Sequence, residues 1–118
     1  MSHILIVEDD PDLRPLLEHV LISGGYTVDV TDTVAGGLAR LDERAYDLVL
    51  ADGRLSDGTG MMVAERAIAK RAKVLIITGY AFDLPRAELE RYYYILKPVR
   101  PSELLAEIER VLDRSGAN

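Results

Sequence analysis

Residues 47–60 read DLVLADGRLSDGTG, and they are the clearest guide to the fold. An uncharged apolar run, Leu48 to Ala51, ends at Asp52, and a glycine-rich loop with a second acid, Asp57, follows. A short apolar run bounded by turn residues is typical of a strand that is buried on both faces. Asp52 is then either the first residue of an ordinary turn or a reactive carboxylate at the tip of a buried strand.

Similar short apolar runs recur along the chain. Each is rich in β-branched or aromatic residues and is bounded by Gly, Pro, Asp or Lys. The predicted strands are Ile4–Val7, Tyr26–Val30, Leu48–Ala51, Val74–Thr78 and Tyr92–Leu96. Apolar residues between the strands recur at helical spacing, and in the third helix they are Met62, Ala64, Ala67 and Ile68. The segment before the fifth strand has room for only a short helix, around Ala87–Leu89.

Strands and helices alternate five times, which predicts a parallel sheet covered by helices on both faces. With right-handed crossovers, this (βα)5 pattern gives a doubly wound fold. Five strands favour the flavodoxin-like strand order 2-1-3-4-5. We therefore expect an α/β fold with one five-stranded parallel sheet, and we expect residues 1–118 to form a single domain.

Composition and charge exclude several classes of site. The chain has no cysteine, which rules out disulfides and thiolate zinc sites. No apolar stretch has the length of a membrane span, and the N-terminus lacks the pattern of a secretion signal, so we expect a cytoplasmic protein without membrane contact. The net charge of −6 argues against direct binding of nucleic acid by this domain.

Acidic and polar residues follow the strands that border the predicted crevice. In a sheet of this order, ligands bind at the carboxyl ends of the strands, between the first and the third. The residues at these strand ends are Glu8, Asp9, Asp10, Asp52, Thr78 and Lys97. Carboxylates this close repel one another unless a cation binds, and such a site suits Mg²⁺, which also accepts phosphate oxygens. The residues by themselves therefore suggest phosphoryl chemistry at an aspartate.

Asp10 is interpreted differently from its two acidic neighbours. It precedes Pro11 and can cap the first helix. Pro15 lies one turn into that helix, which leaves Asp12 as an alternative cap. We expect Asp10 to have a structural role rather than to bind a metal directly.

Four segments, ILIVEDDP, DLVLAD, VLIITG and YILKP, resemble in this order the receiver domain of two-component response regulators. The resemblance extends over nearly the whole chain. It implies that Asp52 accepts a phosphoryl group from a sensor histidine kinase, a phosphotransfer protein or a small-molecule phosphodonor. Such a domain is a signalling switch rather than an enzyme, because it catalyses only its own phosphorylation and dephosphorylation.

The resemblance also implies a ligand set for Mg²⁺. Asp9 would bind the metal directly, and Glu8 would bind it through a water molecule. Asp52 and the backbone carbonyl of Arg54 would complete the protein ligands. All of these are oxygen ligands, which Mg²⁺ prefers.

Three further residues would contact the phosphoryl group or respond to it. Thr78 and Lys97 would each contact one of its oxygens, and Tyr94 would move when Thr78 is drawn in. That motion would change the surface of the fourth helix, the fifth strand and the fifth helix, where relatives form homodimers or bind partners. The resemblance also implies a cis peptide bond between Lys97 and Pro98.

The sequence departs from the family pattern at two positions of the acceptor loop and in its short fourth helix. Ser56 stands where proline is usual, and Gly53 stands where a bulkier residue is common. One alternative is a receiver-like adaptor that binds proteins without phosphate, and the complete set of acids, threonine and lysine argues against it. Another is an enzyme on the same fold. A phosphatase of the haloacid dehalogenase type would need Asp where Arg54 stands, and no glycine-rich fingerprint of a dinucleotide binder follows the first strand.

Overall fold

The five strands of the main sheet alternate with helices along the chain as the sequence predicts, and each predicted strand boundary lies within one residue of the observed one. The computed structural model describes residues 2–79 and 86–116. The elements are β1 (His3–Val7), α1 (Leu13–Ser23), β2 (Thr27–Thr31), α2 (Val34–Glu43), β3 (Leu48–Asp52), β4 (Arg54–Leu55), β5 (Gly58–Thr59), α3 (Gly60–Ala69), β6 (Lys73–Thr78), α4 (Arg86–Arg91), β7 (Tyr93–Leu96) and α5 (Pro101–Gly116). The fourth helix is short, as expected.

Five strands form one parallel sheet in the order β2-β1-β3-β6-β7. Strands β4 and β5 form a separate antiparallel hairpin outside this sheet. The fourth and fifth strands of the sheet are therefore β6 and β7, and the strand order is the predicted 2-1-3-4-5 of a doubly wound fold. The direction of winding reverses between β1 and β3, which pair with each other at the centre. The carboxyl ends of these two strands therefore border the crevice in which such folds bind ligands.

Strand β3 is buried along its whole length, because helices cover both faces of the sheet. Its side chains point alternately to the two faces. Val49 and Ala51 belong to one apolar cluster, with residues of α2 and α3, and Leu48 and Leu50 belong to another, with residues of α1 and α5. The apolar run that ends at Asp52 is thus a central strand, and packing on both sides holds its end in place.

Asp10 and two glycines mark the ends of α1. The Asp10 carboxylate accepts hydrogen bonds from the backbone N–H of Asp12 at 2.8 Å and of Leu13 at 3.2 Å, which hold its pKa below the ordinary value. Asp12 occupies the cap position but makes no side-chain cap bond. The structural role predicted for Asp10 is therefore confirmed. At the other end Gly24 is the C-cap, and Gly25 has a φ of 94°, which glycine adopts without strain.

The apolar face of α3 differs from the predicted one. Ala64 and Ala67 are buried as expected, but Met62 is 50% exposed and Ile68 is 49% exposed. Met62 lies on the side of the helix opposite Ala64, because residues two positions apart point in nearly opposite directions from the helix axis. Ile68 lies in the last turn of α3. Val63 is buried instead.

A polar cluster near the start of β1 joins β2 to the loop before β3. One oxygen of Asp29 accepts a hydrogen bond from the buried Tyr46 hydroxyl at 2.6 Å and lies 3.2 Å from both Arg44 and His3. Burial alone would raise the pKa of Asp29, but Tyr46 and the two basic side chains outweigh it and lower that pKa. The cluster thus stabilises the ionised form of Asp29.

Tyr46→Phe is expected to lower the free energy of unfolding by about 1 kcal/mol, because it removes the hydrogen bond to Asp29. The pKa of Asp29 is depressed in the folded protein, so the loss should be full above its unfolded pKa and should shrink as the pH falls through the folded value. Urea unfolding from neutral pH down to about pH 3 measures both effects. Tyr94→Phe, at an exposed ring, is the matched control. An equal loss in both variants would contradict this account.

Candidate functional site

The carboxyl ends of four strands bring the predicted site residues together at one edge of the sheet. Asp52 and Thr78 are the last residues of β3 and β6, Glu8 and Asp9 follow β1, and Lys97 follows β7. Glu8, Asp52 and Thr78 are buried polar residues beside an otherwise apolar core. The fold therefore gathers three carboxylates, one hydroxyl and one ammonium at the crevice.

Asp52 is held at both of its carboxylate oxygens. Lys97 Nζ donates a hydrogen bond to Oδ2 at 2.9 Å, and the backbone N–H of Arg54 donates one to Oδ1 at 3.1 Å. Lys97 Nζ also lies 3.5 Å from Glu8 Oε1. Burial alone would lower the pKa of Lys97, but the hydrogen bond and charge of Asp52 and the charge of Glu8 outweigh it and raise that pKa. The ammonium is therefore charged at neutral pH.

Glu8 is the most deeply buried acid of the site, with 1% of its surface exposed. Its Oε2 accepts a hydrogen bond from the backbone N–H of Asp10 at 3.1 Å. Its Oε1 is buried and has no hydrogen-bond partner within residues 2–79 and 86–116. Burial first, and then the neighbouring Asp52 carboxylate, raise the pKa of Glu8 to about 8. With Lys97 alone as the neighbouring cation, Glu8 therefore holds a proton at neutral pH, and a bound metal ion would favour its release.

Three carboxylates of the site have the arrangement of a cation site. One oxygen each from Glu8, Asp9 and Asp52 lie within 4.8 Å of one another. The buried Oε1 of Glu8 is an acceptor that a cation or a metal-bound water would satisfy. Oxygen ligands with room for water suit Mg²⁺. The backbone N–H of Arg54, the fourth predicted ligand, donates a hydrogen bond to Asp52. Metal binding by the Arg54 carbonyl stays a prediction.

Backbone hydrogen bonds hold the loop after Asp52 against the sheet. The N–H of Gly53 donates to the carbonyl of Ile77 at 2.7 Å, and the N–H of Gly60 donates to the carbonyl of Gly53 at 3.1 Å. A Cβ atom at Gly60 would collide with the backbone carbonyl of Asp52. Glycine at this position thus allows α3 to begin directly beside the acceptor strand.

The sequence analysis did not predict the hairpin of β4 and β5 or the role of Asp57. The hairpin turns at Ser56 and Asp57, and the Asp57 carboxylate accepts hydrogen bonds from the backbone N–H of Val34 at 2.8 Å and of Ala35 at 3.1 Å. These bonds lower the pKa of Asp57 and satisfy two free donors at the start of α2. The pair Asp57-Gly58 is a turn signal that could have indicated the hairpin. No local pattern indicates that this acid caps α2.

Thr78 and Tyr94 lie on adjacent strands near the crevice. Thr78 is buried, and its carbonyl accepts a hydrogen bond from the N–H of Lys97 at 2.9 Å. Tyr94 is paired in register with Ile76, two residues before Thr78, and is 43% exposed. The peptide bond between Lys97 and Pro98 is cis, as the resemblance implied. The roles of Thr78 and Tyr94 as switch residues stay predictions.

The sequence profile of the response regulator receiver domain matches residues 4–109. The chain belongs to this receiver family. The receiver is 33% identical over 117 residues to the TorCAD operon transcriptional regulatory protein TorR of Escherichia coli K12, covering 95% of this chain and 50% of TorR. It is 35% identical to the response regulator receiver protein CpdR of Brucella abortus, covering 95% of this chain and 98% of CpdR. The chain thus spans about half the length of TorR and nearly all of CpdR.

Solved receiver structures share this fold. The CheY-like receiver domain of Methanospirillum hungatei has a TM-score of 0.88 and 32% identity, and the match covers 99% of this chain and 98% of that one. The response regulator TrrA of Thermotoga maritima, solved in complex with Mg²⁺-BeF, has a TM-score of 0.85 and 27% identity, covering 94% and 99%. The expected fold and family are therefore confirmed, and receivers are signalling switches rather than classical enzymes. Within its described residues, this receiver has no helix with the length and apolar character of a membrane span.

Proposed function

We propose that this receiver is a switch in which Asp52 accepts a phosphoryl group in an Mg²⁺-dependent reaction. The observation that carries the proposal is the position of the Asp52 carboxylate, in contact with the Lys97 ammonium and close to the carboxylates of Glu8 and Asp9. A lone turn-forming Asp has no use for a partly buried lysine and two further acids. The phosphodonor is a sensor histidine kinase, a phosphotransfer protein or a small acyl phosphate.

In the transfer step, an oxygen of the Asp52 carboxylate bonds to phosphorus as the bond between phosphorus and the donor breaks. The electron pair of that bond leaves with the donor atom, which is an imidazole nitrogen in phosphohistidine or a carboxylate oxygen in acetyl phosphate. Phosphoryl transfer depends mainly on alignment and on offsetting the charge of the phosphoryl oxygens. Lys97, which already contacts Asp52 Oδ2, supplies a positive charge where those oxygens arrive.

The acids of the site would bind the metal that the reaction uses. Asp9, Asp52 and the carbonyl of Arg54 would hold Mg²⁺ directly, and Glu8 would hold one of its waters. Bound Mg²⁺ offsets negative charge on the phosphoryl oxygens. Glu8 would release its proton when the cation binds, because a nearby positive charge favours the ionised carboxylate.

The phosphorylated site would change the surface formed by α4, β7 and α5. A phosphoryl group adds a charge of about −1.5 to −2, which can reorder groups that reach it. The Thr78 hydroxyl would move to donate a hydrogen bond to one oxygen of the phosphoryl group. The half-exposed Tyr94 ring would move into the space that Thr78 leaves. Through this surface the receiver would form a homodimer or bind a downstream partner.

Incubation with acetyl phosphate, followed by intact-mass measurement, tests the proposal. The wild type is expected to gain one phosphoryl group only when Mg²⁺ is present, and Asp52→Asn is expected to gain none. Asp32→Asn is the matched control, because Asp32 is an exposed acid at the end of β2, away from the crevice. No gain in folded wild type with Mg²⁺ would contradict the proposal and favour the phosphate-independent adaptor.

A further inference from the structure

The geometry points to a second binding site, for a small anionic molecule with an aromatic part, at the end of the sheet opposite Asp52. A cavity of about 370 Å³ lies where α3 ends and where β6 and β7 begin. This volume falls within the range of small-molecule sites. The lining side chains on which the inference rests are Arg71, Lys73, Arg91, Ile68, Tyr92 and Tyr93.

The charge of the cavity favours an anion. Among the described residues that line it, three are basic and none is acidic. Neither Arg71 nor Lys73 has a salt-bridge partner in the part of the chain that the structure describes, whereas the nearby Arg66 and Lys70 both pair with Asp42. The chain as a whole carries a net charge of −6, so this local positive surface is the opposite of its average. Complementary charge would attract an anion and hold it.

Arg71, which lines the cavity, also has a left-handed backbone conformation. Arg71 has a φ of 66°, and its N–H donates to the carbonyl of Ile68 at 2.9 Å, just past the end of α3. Helices often end with a residue in this left-handed conformation, and that residue is usually glycine. A side chain with a Cβ is disfavoured there, and such strain is often found at functional sites.

The walls of the cavity favour a flat group next to the charge. The Arg91 guanidinium lies 5.3 Å from the centre of the Tyr92 ring, and Tyr93 and Ile68 are partly exposed beside it. Aromatic rings and guanidinium planes stack on flat π systems. A phosphate on a planar base therefore matches the cavity in size, charge and shape. AMP is a suitable probe of this class.

Titration of isotope-labelled receiver with AMP, followed by amide NMR in Mg²⁺-free buffer, tests the site. AMP is expected to shift the amides of residues 71–74 and 91–93. Adenosine, which lacks the charge, and inorganic phosphate, which lacks the ring, are each expected to bind at least about tenfold more weakly. The absence of shifts at these amides, or equal affinity for AMP and either fragment, would overturn the inference.

Substitutions separate binding from folding. Arg71→Gly and Lys73→Ala are each expected to weaken AMP binding about tenfold. Arg71→Gly should keep or raise the thermal midpoint, because glycine relieves the left-handed backbone. Lys70→Ala, next to the cavity but not lining it, is the matched control. Unchanged AMP affinity in Arg71→Gly would overturn the inference. Asp52→Asn should bind AMP normally, so this site is tested independently of phosphorylation.

Discussion

Lys97→Met is expected to slow phosphorylation by acetyl phosphate about a hundredfold. The Lys97 ammonium is 2.9 Å from Asp52 Oδ2. Without the Lys97 ammonium, less of the negative charge on the phosphoryl oxygens is offset in the transition state. Methionine retains an unbranched side chain of similar length, so the variant removes the charge with little loss of packing.

The rate of mass gain at saturating Mg²⁺, with a large excess of acetyl phosphate, measures this effect. Lys70→Met is the matched control, because Lys70 pairs with Asp42 on the surface and lies outside the site. The thermal midpoint of each variant should be recorded first, to show that both are folded. A rate for Lys97→Met close to that of the wild type would show that the ammonium does not assist the transfer.

Glu8→Gln is expected to weaken Mg²⁺ binding about tenfold and to remove most of its pH dependence. In the wild type the pKa of Glu8 is raised to about 8 by burial and by Asp52, so below that pH the metal must displace a proton. Mg²⁺ affinity should therefore rise with pH and level off above about pH 8. Gln cannot ionise, so its affinity should stay low and nearly constant over the same range.

The raised pKa of Glu8 also makes the stability of the metal-free protein depend on pH, in the direction opposite to that of Mg²⁺ affinity. A carboxyl whose folded pKa is raised from 4.5 to about 8 keeps its proton in the folded state after the unfolded chain has lost it. The metal-free wild type should therefore lose stability as the pH rises between these two values, and Glu8→Gln should lose less. Calorimetric Mg²⁺ titrations below and above about pH 8 measure the first effect, and urea unfolding between about pH 5 and pH 8 measures the second. Asp12→Asn, an exposed acid without a cap bond, is the control. Equal pH dependence in Glu8→Gln and the wild type would contradict this account.

The sheet could be predicted from the sequence because its strands are buried on both faces. A strand such as β3 must be apolar at every position, so it forms an uncharged run that ends at Asp52. Parallel strands also have their carboxyl ends at one edge, so the residues after each run meet there. For this reason the sequence alone assigns Glu8, Asp9, Thr78 and Lys97 to one site.

The features that the sequence did not reveal depend on contacts between distant segments or on how a helix ends. Asp57 caps α2 only because the hairpin of β4 and β5 carries it across to that helix. Met62 follows a helical spacing, but the side of α3 that is buried depends on where the sheet lies. The left-handed conformation of Arg71 is likewise imposed by the end of α3, at a residue type that rarely adopts it.

Locating the phosphoryl group on the chain tests the central claim most directly. After reaction with acetyl phosphate and Mg²⁺, borohydride reduction converts an aspartyl phosphate to a stable alcohol, and peptide mass spectrometry identifies the reduced residue. This account predicts reduction at Asp52 alone, dependent on Mg²⁺ and strongly diminished in Lys97→Met. Reduction at Asp9 or Asp57 instead, or at no residue of the folded protein, would contradict it.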